Sequence, residues 1–381
     1  MTDARLDVPL TYLRAAPEPV LPAPIFSRGV LAWMRANLFS SWNSAALTLL
    51  MLGLCVWLIP PLIAWATVNA IWSAPDGALC RAHQDGACWA FIAQKMNYFR
   101  YGSYPPAERW RVDLTEIVGG LLIVWLLWPR APRRGVGAAL FFIAFPVLAF
   151  VLLRGAEWLG LPIVDTLLWG GIFVSLLTAL VGIVFSLPLG VLLALGRRSR
   201  LPFVKLASII YIEFVRGVPF ITVLFMANFM LPLFLPESWT PDRFLRPLVG
   251  TALFAAAYMA EEVRGGLQSI GKGQFEGAMA LGLNFWRMMG LVILPQALTL
   301  VIPGIVNTFI GLFKDTTLVS IVGLSDFLAT VENASKDPAW IGPTLAPTGY
   351  AFAALFYFVF CFGMSRYQAF MERRLSQGRR R

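Results

Sequence analysis

The sequence predicts an all-α integral membrane protein with about eight transmembrane helices. Of its 381 residues, 58% are hydrophobic and only 14% are charged, whereas a typical soluble domain carries roughly 25% charged residues. Apolar runs close to the ~20 residues that a helix needs to cross a bilayer recur along the chain. The net charge of +10 is divided among short clusters between these runs. This pattern is typical of membrane loops and does not indicate a nucleic-acid-binding surface.

Three spans are predicted in the first part of the chain, after a polar and proline-rich leader over residues 1–43. A long loop over residues 67–113 separates the first span from the second. The three spans and this loop form a predicted domain over residues 44–160. The spans are Ser44–Ala66, Leu114–Trp128 and Val136–Leu153.

Five further spans form a second predicted domain over residues 165–370, and a basic tail over residues 371–381 follows it. The chain shows no internal repeat, although secondary transporters are often built from repeated halves. The five spans are Leu167–Leu195, Leu206–Leu231, Leu248–Val263, Gly290–Phe313 and Gly349–Met364.

The distribution of basic residues predicts the orientation of the chain. Placing both termini in the cytoplasm assigns 20 Lys and Arg residues to inner segments and 10 to outer segments. Inner loops of membrane proteins carry an excess of Lys and Arg. The loop over residues 67–113 is therefore expected on the outer side.

Two cysteines in that outer loop predict a disulfide. Cys80 and Cys88 are eight residues apart, and an oxidising compartment allows them to pair. His83 lies between them, so the spacing also resembles part of a zinc site. A fourth ligand is missing, and we therefore predict no metal site.

The segment between the sixth and seventh spans is longer than a simple turn and predicts a cytoplasmic helix that begins near Gln274. Phe275, Met279, Gly282 and Trp286 share one face at helical spacing. Such a face, with small residues beside it, is suited to docking in a groove of a partner protein. A helix lying on the membrane surface is the alternative.

Two pairs of charged residues occur at the predicted inner ends of spans. Glu213 and Arg216 are three residues apart, as are Glu261 and Arg264, so each pair can interact on one helix face. Charges near the membrane are costly unless they are paired or hydrated. We expect these residues to anchor helix ends and an inner gate, with direct contact to a substrate as the alternative.

Polar residues near the outer end of the seventh span are candidates for a pathway through the membrane. Lys314, Asp315 and Thr316 could meet a ligand that carries both an ammonium and a carboxylate group, or they could stabilise the fold near an outer gate. Asn307 and Asn228 lie within apolar runs. Each of them either lines the pathway or forms a hydrogen bond between helices.

Enzymatic activity is not predicted. Gly266, Gly271 and Lys272 nearly match a phosphate-binding loop, but the next residue is Gly273 where Ser or Thr is needed, and a membrane helix precedes the motif. The chain has one His, placed in the disulfide-prone loop, so a Ser-His-Asp site is not expected. No cofactor is predicted to bind this chain.

The segment between spans six and seven resembles the EAA loop of ABC importer permeases. The matching residues keep the spacing of that motif over the loop at residues 268–295, and they are Glu276, Gly277, Ala278, Gly282, Val292, Leu294 and Pro295. Gly277 replaces an Ala and Val292 replaces an Ile. The resemblance implies that this segment is a coupling helix that sits in a cleft of a cytoplasmic ATPase.

Further stretches resemble permeases of the polar amino acid uptake family, over residues 165–370. They are Ala257–Leu267, Glu213–Pro219, Ile293–Leu298 and Lys314–Leu318. The three-span leader resembles the long permeases of general L-amino acid transport systems, most visibly in Trp33-Met-Arg-Ala-Asn-Leu-Phe-Ser-Ser.

The resemblance implies a five-helix type I importer permease core preceded by three extra helices, in a bacterial inner membrane. It implies an L-amino acid importer of broad specificity that works with a homologous second permease, an ATPase dimer and a periplasmic binding protein. ATP and Mg²⁺ would then be bound by the ATPase and not by this chain.

Two other functions are open. An ion-coupled secondary transporter would be favoured by acidic residues at mid-span, and we find none. A scaffold or sensor subunit would require a coupling helix that has lost its partner.

Overall fold

The computed structural model describes residues 29–128 and 130–379. Residues 1–28 of the predicted leader and residues 380–381 of the predicted tail lie outside the described residues. The chain forms two compact units, divided after Val68.

The first unit contains α1 (Val30–Asn37) and α2 (Trp42–Ile63), and α2 continues as a π-helical turn to Val68. Ser41 caps α2 by accepting a hydrogen bond of 3.2 Å from the backbone N–H of Ser44. Trp42–Val68 comprises 27 residues, about 40 Å of helix. This length and its apolar sequence suit the first predicted span.

The second unit contains the remaining elements. Its first helices are α3 (Ala78–Ala82), α4 (Trp89–Tyr101), α5 (Arg109–Leu127), α6 (Arg134–Ala139), α7 (Phe145–Arg154), α8 (Ile172–Arg197) and α9 (Pro202–Gly217). They are followed by α10 (Phe220–Phe225), α11 (Leu231–Phe234), α12 (Leu245–Gln268), α13 (Lys272–Ala280), α14 (Phe285–Met288), α15 (Leu294–Asp315), α16 (Phe327–Ser335) and α17 (Leu345–Arg379). Two short strands, β1 (Gly170–Gly171) and β2 (Ser325–Asp326), pair in parallel.

Within the described ranges, five helices are long and apolar enough to cross a membrane, or six if one bent pair counts as a single span. Helices also lie at the second and sixth predicted spans, as α5 and α12. The total of eight spans therefore stays a prediction. The five are Trp42–Val68, Arg134–Arg154, Ile172–Arg197, Phe285–Val322 and Leu345–Arg374.

The fifth predicted span, Leu206–Leu231, is not one continuous helix. Pro202–Gly217 and Phe220–Phe234 meet at a bend of 111°. Pro219 supplies no backbone N–H, and its ring pushes the preceding residue out of the helical region. Val218 is accordingly extended, with φ −105° and ψ 138°.

Two other predicted boundaries also shift. The fourth span begins at Ile172 and not at Leu167, because Gly170 and Gly171 pair with β2 before the helix begins. The seventh helical stretch is longer than predicted and runs over Phe285–Val322. It includes a π-helical turn over Met289–Ile293, just before the proline at the first turn of α15.

The interface between α8 and α12 forms the centre of the second unit. A Cβ atom at Gly190 would lie 2.6 Å from Cβ of Met259, and one at Gly182 would lie 2.6 Å from Cδ2 of Leu312. Small residues allow membrane helices to approach each other closely. The core of this unit therefore depends on glycines of α8 that face α12 and α15.

A disulfide joins Cys80 to Cys88, the pairing that the sequence predicts. Because both sulfur atoms are used, neither is available as a zinc ligand. We call residues 69–105 the disulfide segment.

The disulfide segment packs on the connection between the last two long helices. Phe91 and Phe99 of α4 share a buried cluster with Phe327 of α16 and with Trp340. Lys95 forms an ion pair with Asp337. The segment is therefore a folded part of the second unit and not a free loop.

Asp326 holds this connection by capping α16. Its carboxylate accepts hydrogen bonds from the backbone N–H groups of Leu328 at 3.0 Å and Ala329 at 3.1 Å, and the residue is fully buried. Burial raises the pKa of the Asp326 carboxyl to about 7, although the two backbone donors favour the charged form.

The raised pKa of Asp326 predicts the direction in which stability changes with pH. An unfolded Asp titrates near ~3.9, so the folded state retains a proton that the unfolded state releases. The contribution of this group is full below about pH 4 and is lost as the pH rises through 7. We expect the melting temperature in detergent to be higher at pH 6 than at pH 8.

The matched variant is Asp326→Asn, which keeps a capping oxygen and does not titrate. We expect it to flatten the dependence between pH 6 and pH 8, as measured by thermal unfolding. An unchanged slope in this variant would contradict the assignment.

Candidate functional site

The end of the bundle opposite the disulfide segment carries the residues of the EAA-like loop. The 26-residue helix α8, about 39 Å long, begins beside the disulfide segment, where a Cβ at Gly171 would lie 2.3 Å from the carbonyl oxygen of Phe99. It ends at Arg197, beside α12 and α13. The two ends of α8 therefore define a disulfide end and an opposite end, which we call the coupling end.

Helix α13 is short and has a defined C-terminus. Gly282 adopts a left-handed conformation, with φ +72°. The backbone N–H of Gly282 donates to Met279 O at 2.9 Å, and that of Leu283 donates to Ala278 O at 3.2 Å. These two bonds form a Schellman motif, which satisfies the last carbonyl groups of the helix.

This C-terminus corrects the predicted docking face. The helix begins at Lys272 and ends at Ala280, so Gly282 and Trp286 do not continue the face of Phe275 and Met279. Trp286 belongs to α14, which begins after a separate cap, where Asn284 Oδ1 accepts from Arg287 N–H at 3.0 Å. The periodic spacing crosses two helices because glycine at Gly282 ends the first.

The residues of α13 divide into an anchored side and an exposed side. Ala278 is buried, and Phe275 packs on the cluster that contains Leu267 and Ile293. Glu276 and Gly277 are exposed, and so are the apolar side chains of Met279 in the same helix and of Leu281, which directly follows it. The exposed side therefore presents one carboxylate among apolar groups.

Leu294 and Pro295 place the next long helix against α13. Leu294 begins α15 and packs on the same cluster as Phe275. Pro295 lies in the first turn, where proline is tolerated. Gln296 Nε2 donates to Gln274 Oε1 at 3.1 Å and thereby joins α15 to α13.

Arg198, which the sequence interpretation missed, links α13 to the transmembrane helices. Its guanidinium lies 5.5 Å from the ring centre of Phe275, and Nη1 donates to Leu267 O at 3.3 Å. Arg198 follows α8 and Leu267 belongs to α12. One side chain therefore contacts α13 and the end of α12 together. The sequence did not indicate this contact, because basic residues are common after the inner ends of spans and the partners of Arg198 are distant in sequence.

Glu261 is the centre of an ion-pair cluster that joins α8, α9 and α12. Its carboxylate lies 2.8 Å from Arg197 Nη1, 2.7 Å from Arg264 Nη2 and 3.6 Å from Arg216 Nη1. Arg264 also donates to Gln268 Oε1 at 2.8 Å. The predicted pairing of Glu261 with Arg264 is present in the structure.

The structure places Glu213 and Arg216 in the same cluster but with other partners. Glu213 lies 2.9 Å from Arg197 Nη1, and Arg216 contacts Glu261 and lies over the ring of Tyr258 at 5.6 Å. The i, i+3 spacing pointed to a local pair, whereas the helix contacts bring in Arg197 from α8.

The polar residues near the disulfide end of α15 differ in how far they are exposed to solvent. Lys314 is exposed and Asp315 is half-buried, and no ion pair among the described residues joins them. Thr316 is buried and donates to Phe313 O at 2.8 Å. These contacts are local and do not assemble a binding site.

Asn228 and Asn307, the two asparagines predicted within spans, also differ in their exposure to solvent. Asn228 is buried and donates from Nδ2 to Val322 O at 3.0 Å, so it joins two segments of the bundle. Asn307 is exposed on α15 and stays a candidate for the pathway.

Comparisons with known proteins identify the family. The family model described as "Binding-protein-dependent transport system inner membrane component" matches residues 186–377, which include the ion-pair cluster and α13. The chain is 48% identical to the inner membrane amino-acid ABC transporter permease protein YhdY of Escherichia coli K12, over 95% of this chain and 97% of that protein.

Two more relatives are informative. BztC of Rhodobacter capsulatus, a glutamate/glutamine/aspartate/asparagine transport system permease protein, is 40% identical over 94% of this chain and 96% of its own. GltK of Escherichia coli O6:H1, a glutamate/aspartate import permease protein, is 32% identical over 54% of this chain and 91% of its own.

The first two relatives match nearly the whole chain, whereas GltK matches about half of it. This agrees with a permease core that carries additional helices. The chain therefore belongs to the amino-acid ABC transporter permeases of the binding-protein-dependent transport system inner membrane component family.

Proposed function

We propose that this chain is a membrane subunit of an ATP-driven importer that moves L-amino acids, with broad side-chain range, into the cytoplasm. The observation that carries the proposal is α13, which holds Glu276 exposed on a helix that Phe275 and Arg198 attach to α8 and α12. The relatives, which are named as amino-acid permeases, support the class of substrate.

In this proposal both termini and the coupling end face the cytoplasm, and the disulfide segment faces the outside. The excess of Lys and Arg in the inner segments supports this orientation, and so does the disulfide, which an oxidising compartment maintains.

The coupling end and the disulfide end suggest different partners. A cytoplasmic ATPase dimer, which binds ATP and Mg²⁺, would receive the exposed side of α13, and a homologous permease would complete the pathway. A binding protein would deliver the amino acid to the outer end. Membrane lipid surrounds the apolar helices, and the chain itself performs no hydrolysis.

The mechanism we propose is alternating access. Closure of the ATPase pair displaces α13, and the Phe275–Arg198 contact passes the displacement to α8 and α12. The Glu261 cluster passes it to α9. These helices would have two arrangements, and both ATP and the substrate would shift the equilibrium between them. Such a shift is sufficient to couple ATP hydrolysis to transport.

The first prediction concerns Glu276. Glu276→Arg reverses a charge that would be buried against the ATPase, and loss of a charge-assisted hydrogen bond costs about 1.5–3 kcal/mol. We expect ATP-driven amino acid uptake in cells to fall at least about tenfold. The melting temperature should not change, because Glu276 is exposed in this chain.

Glu372→Arg is the matched control. It makes the same charge reversal at an exposed position near the end of α17, and we expect normal uptake. Unchanged uptake with Glu276→Arg would instead support a transporter or a scaffold that needs no ATPase at α13.

A second prediction compares the two acidic residues of the cluster. Glu261 contacts three arginines, so Glu261→Gln is expected to lower the free energy of unfolding by about 2 kcal/mol. Glu213 is 55% exposed and contacts one arginine, so Glu213→Gln should cost less than about 1 kcal/mol. Thermal unfolding in detergent measures both, and equal effects would show that Glu261 is not the centre of the cluster.

A further inference from the structure

We propose that Glu262, Arg216 and Asn307 form a binding site for the charged head of an α-amino acid, on the seam between α12 and α15. The inference rests on the proposed function and adds where the transported molecule is held. The chemistry is complementary, because an amino acid carries one ammonium and one carboxylate group.

Glu262 lies at the inner end of the sixth predicted span, and its carboxylate forms neither a hydrogen bond nor an ion pair among the described residues. Its neighbour Glu261, in contrast, contacts three arginines. The side chain of Glu262 is half-buried. An acidic residue in such a position is costly and commonly marks the path of a substrate or an ion.

The structure makes room for this carboxylate on the neighbouring helix. A Cβ atom at Gly304 of α15 would lie 1.9 Å from Oε2 of Glu262. Glu262 therefore reaches across the seam, and only glycine at this position of α15 leaves it there. Gly311 on the same helix has no neighbour within 4 Å of such an atom.

The register of the two helices brings other polar groups to the same place. Gly266 of α12 contacts Ala297 of α15, and Glu262 contacts Gly304, so the helices run antiparallel. One turn further from the coupling end, Tyr258 on α12 comes to the level of Asn307 on α15. Tyr258 is 38% exposed and Asn307 is exposed, so the strip is open to a ligand.

Arg216 supplies the opposite charge. Its guanidinium lies over the ring of Tyr258 at 5.6 Å, one turn from Glu262, and interacts electrostatically with that carboxylate. Its distance to Glu261 is 3.6 Å, longer than the 2.7 and 2.8 Å of the other two arginines. Arg216 therefore keeps donors for an incoming carboxylate, and its planar group suits that ligand.

The charges lie in the order that the ligand needs. The ammonium group would bind Glu262, the carboxylate would bind Arg216, and Asn307 would meet polar atoms beside them. Because only the head group is recognised by charge, side chains of different size can be accepted. The site thus provides a physical basis for a broad range of L-amino acids.

A cleft of about 610 Å³ lies at the coupling end, where α15 meets α13, and Gln274, Gln296 and Thr299 are among the residues that line it. In the proposal, this cleft is on the cytoplasmic side of Glu262, toward which an amino acid would be released.

The test measures binding of radiolabelled L-glutamine to the purified complex of this chain with its partner permease and ATPase, without the binding protein. We expect Glu262→Gln to weaken binding at least about tenfold, with Glu262→Asp intermediate. Gly304→Ala should weaken it too, because the methyl group displaces Glu262. Gly311→Ala, on the same helix, should bind normally.

Measurements of uptake and ATP hydrolysis distinguish a failure of the proposed binding site from a failure of the proposed importer function. Glu262→Gln should lose uptake at an unchanged melting temperature, whereas Gly311→Ala should keep both uptake and the ATP hydrolysis stimulated by the loaded binding protein. If the wild-type complex transports L-glutamine and Glu262→Gln binds it equally well, the site is wrong and the proposed function stands. A joint loss of binding, hydrolysis and melting temperature would show a structural role and also overturn the site. A wild-type complex that transports no amino acid would overturn the proposed function itself.

Discussion

The structure of the coupling end depends on the ion pairs that the carboxylate of Glu261 forms with three arginines. This carboxylate brings together guanidinium groups from α8, α9 and α12, at distances from 2.7 to 3.6 Å. Three like charges would repel one another without it. Glu213 supports the arrangement from α9 but is half exposed to solvent. One side chain therefore holds the ends of three helices together, and a movement of one helix displaces the other two.

Helix α8 extends this constraint along the molecule. At one end, Arg197 enters the Glu261 cluster and Arg198 contacts Phe275 of α13. At the other end, the strand that precedes α8 pairs with β2, directly before α16. The disulfide segment packs on α16 through Phe91 and Phe99. One helix thus connects α13 to the disulfide segment, which is a connection that the proposed alternating access requires.

Much of the fold could be predicted from composition and spacing, because apolar runs and basic clusters act locally. The motif around Glu276 could be recognised for the same reason, and so could the cysteine pair. The size of the bend at Pro219, 111°, could not be predicted, because the apolar run continues across it. The face drawn through Gly282 was wrong because periodicity does not register a left-handed glycine. The partners of Arg197, Arg198 and Glu262 depend on contacts between helices that are distant in sequence, and no spacing rule contains them.

The most direct test of the central claim is the composition of the native complex. The tagged chain would be purified from its own cells in mild detergent, and the bound proteins would be identified by mass spectrometry. Recovery of an ABC ATPase together with a second permease is the expected result, because α13 presents an exposed surface for the first and the proposed pathway needs the second. Recovery of this chain alone, in a preparation that still transports amino acids, would contradict ATP-driven coupling through α13.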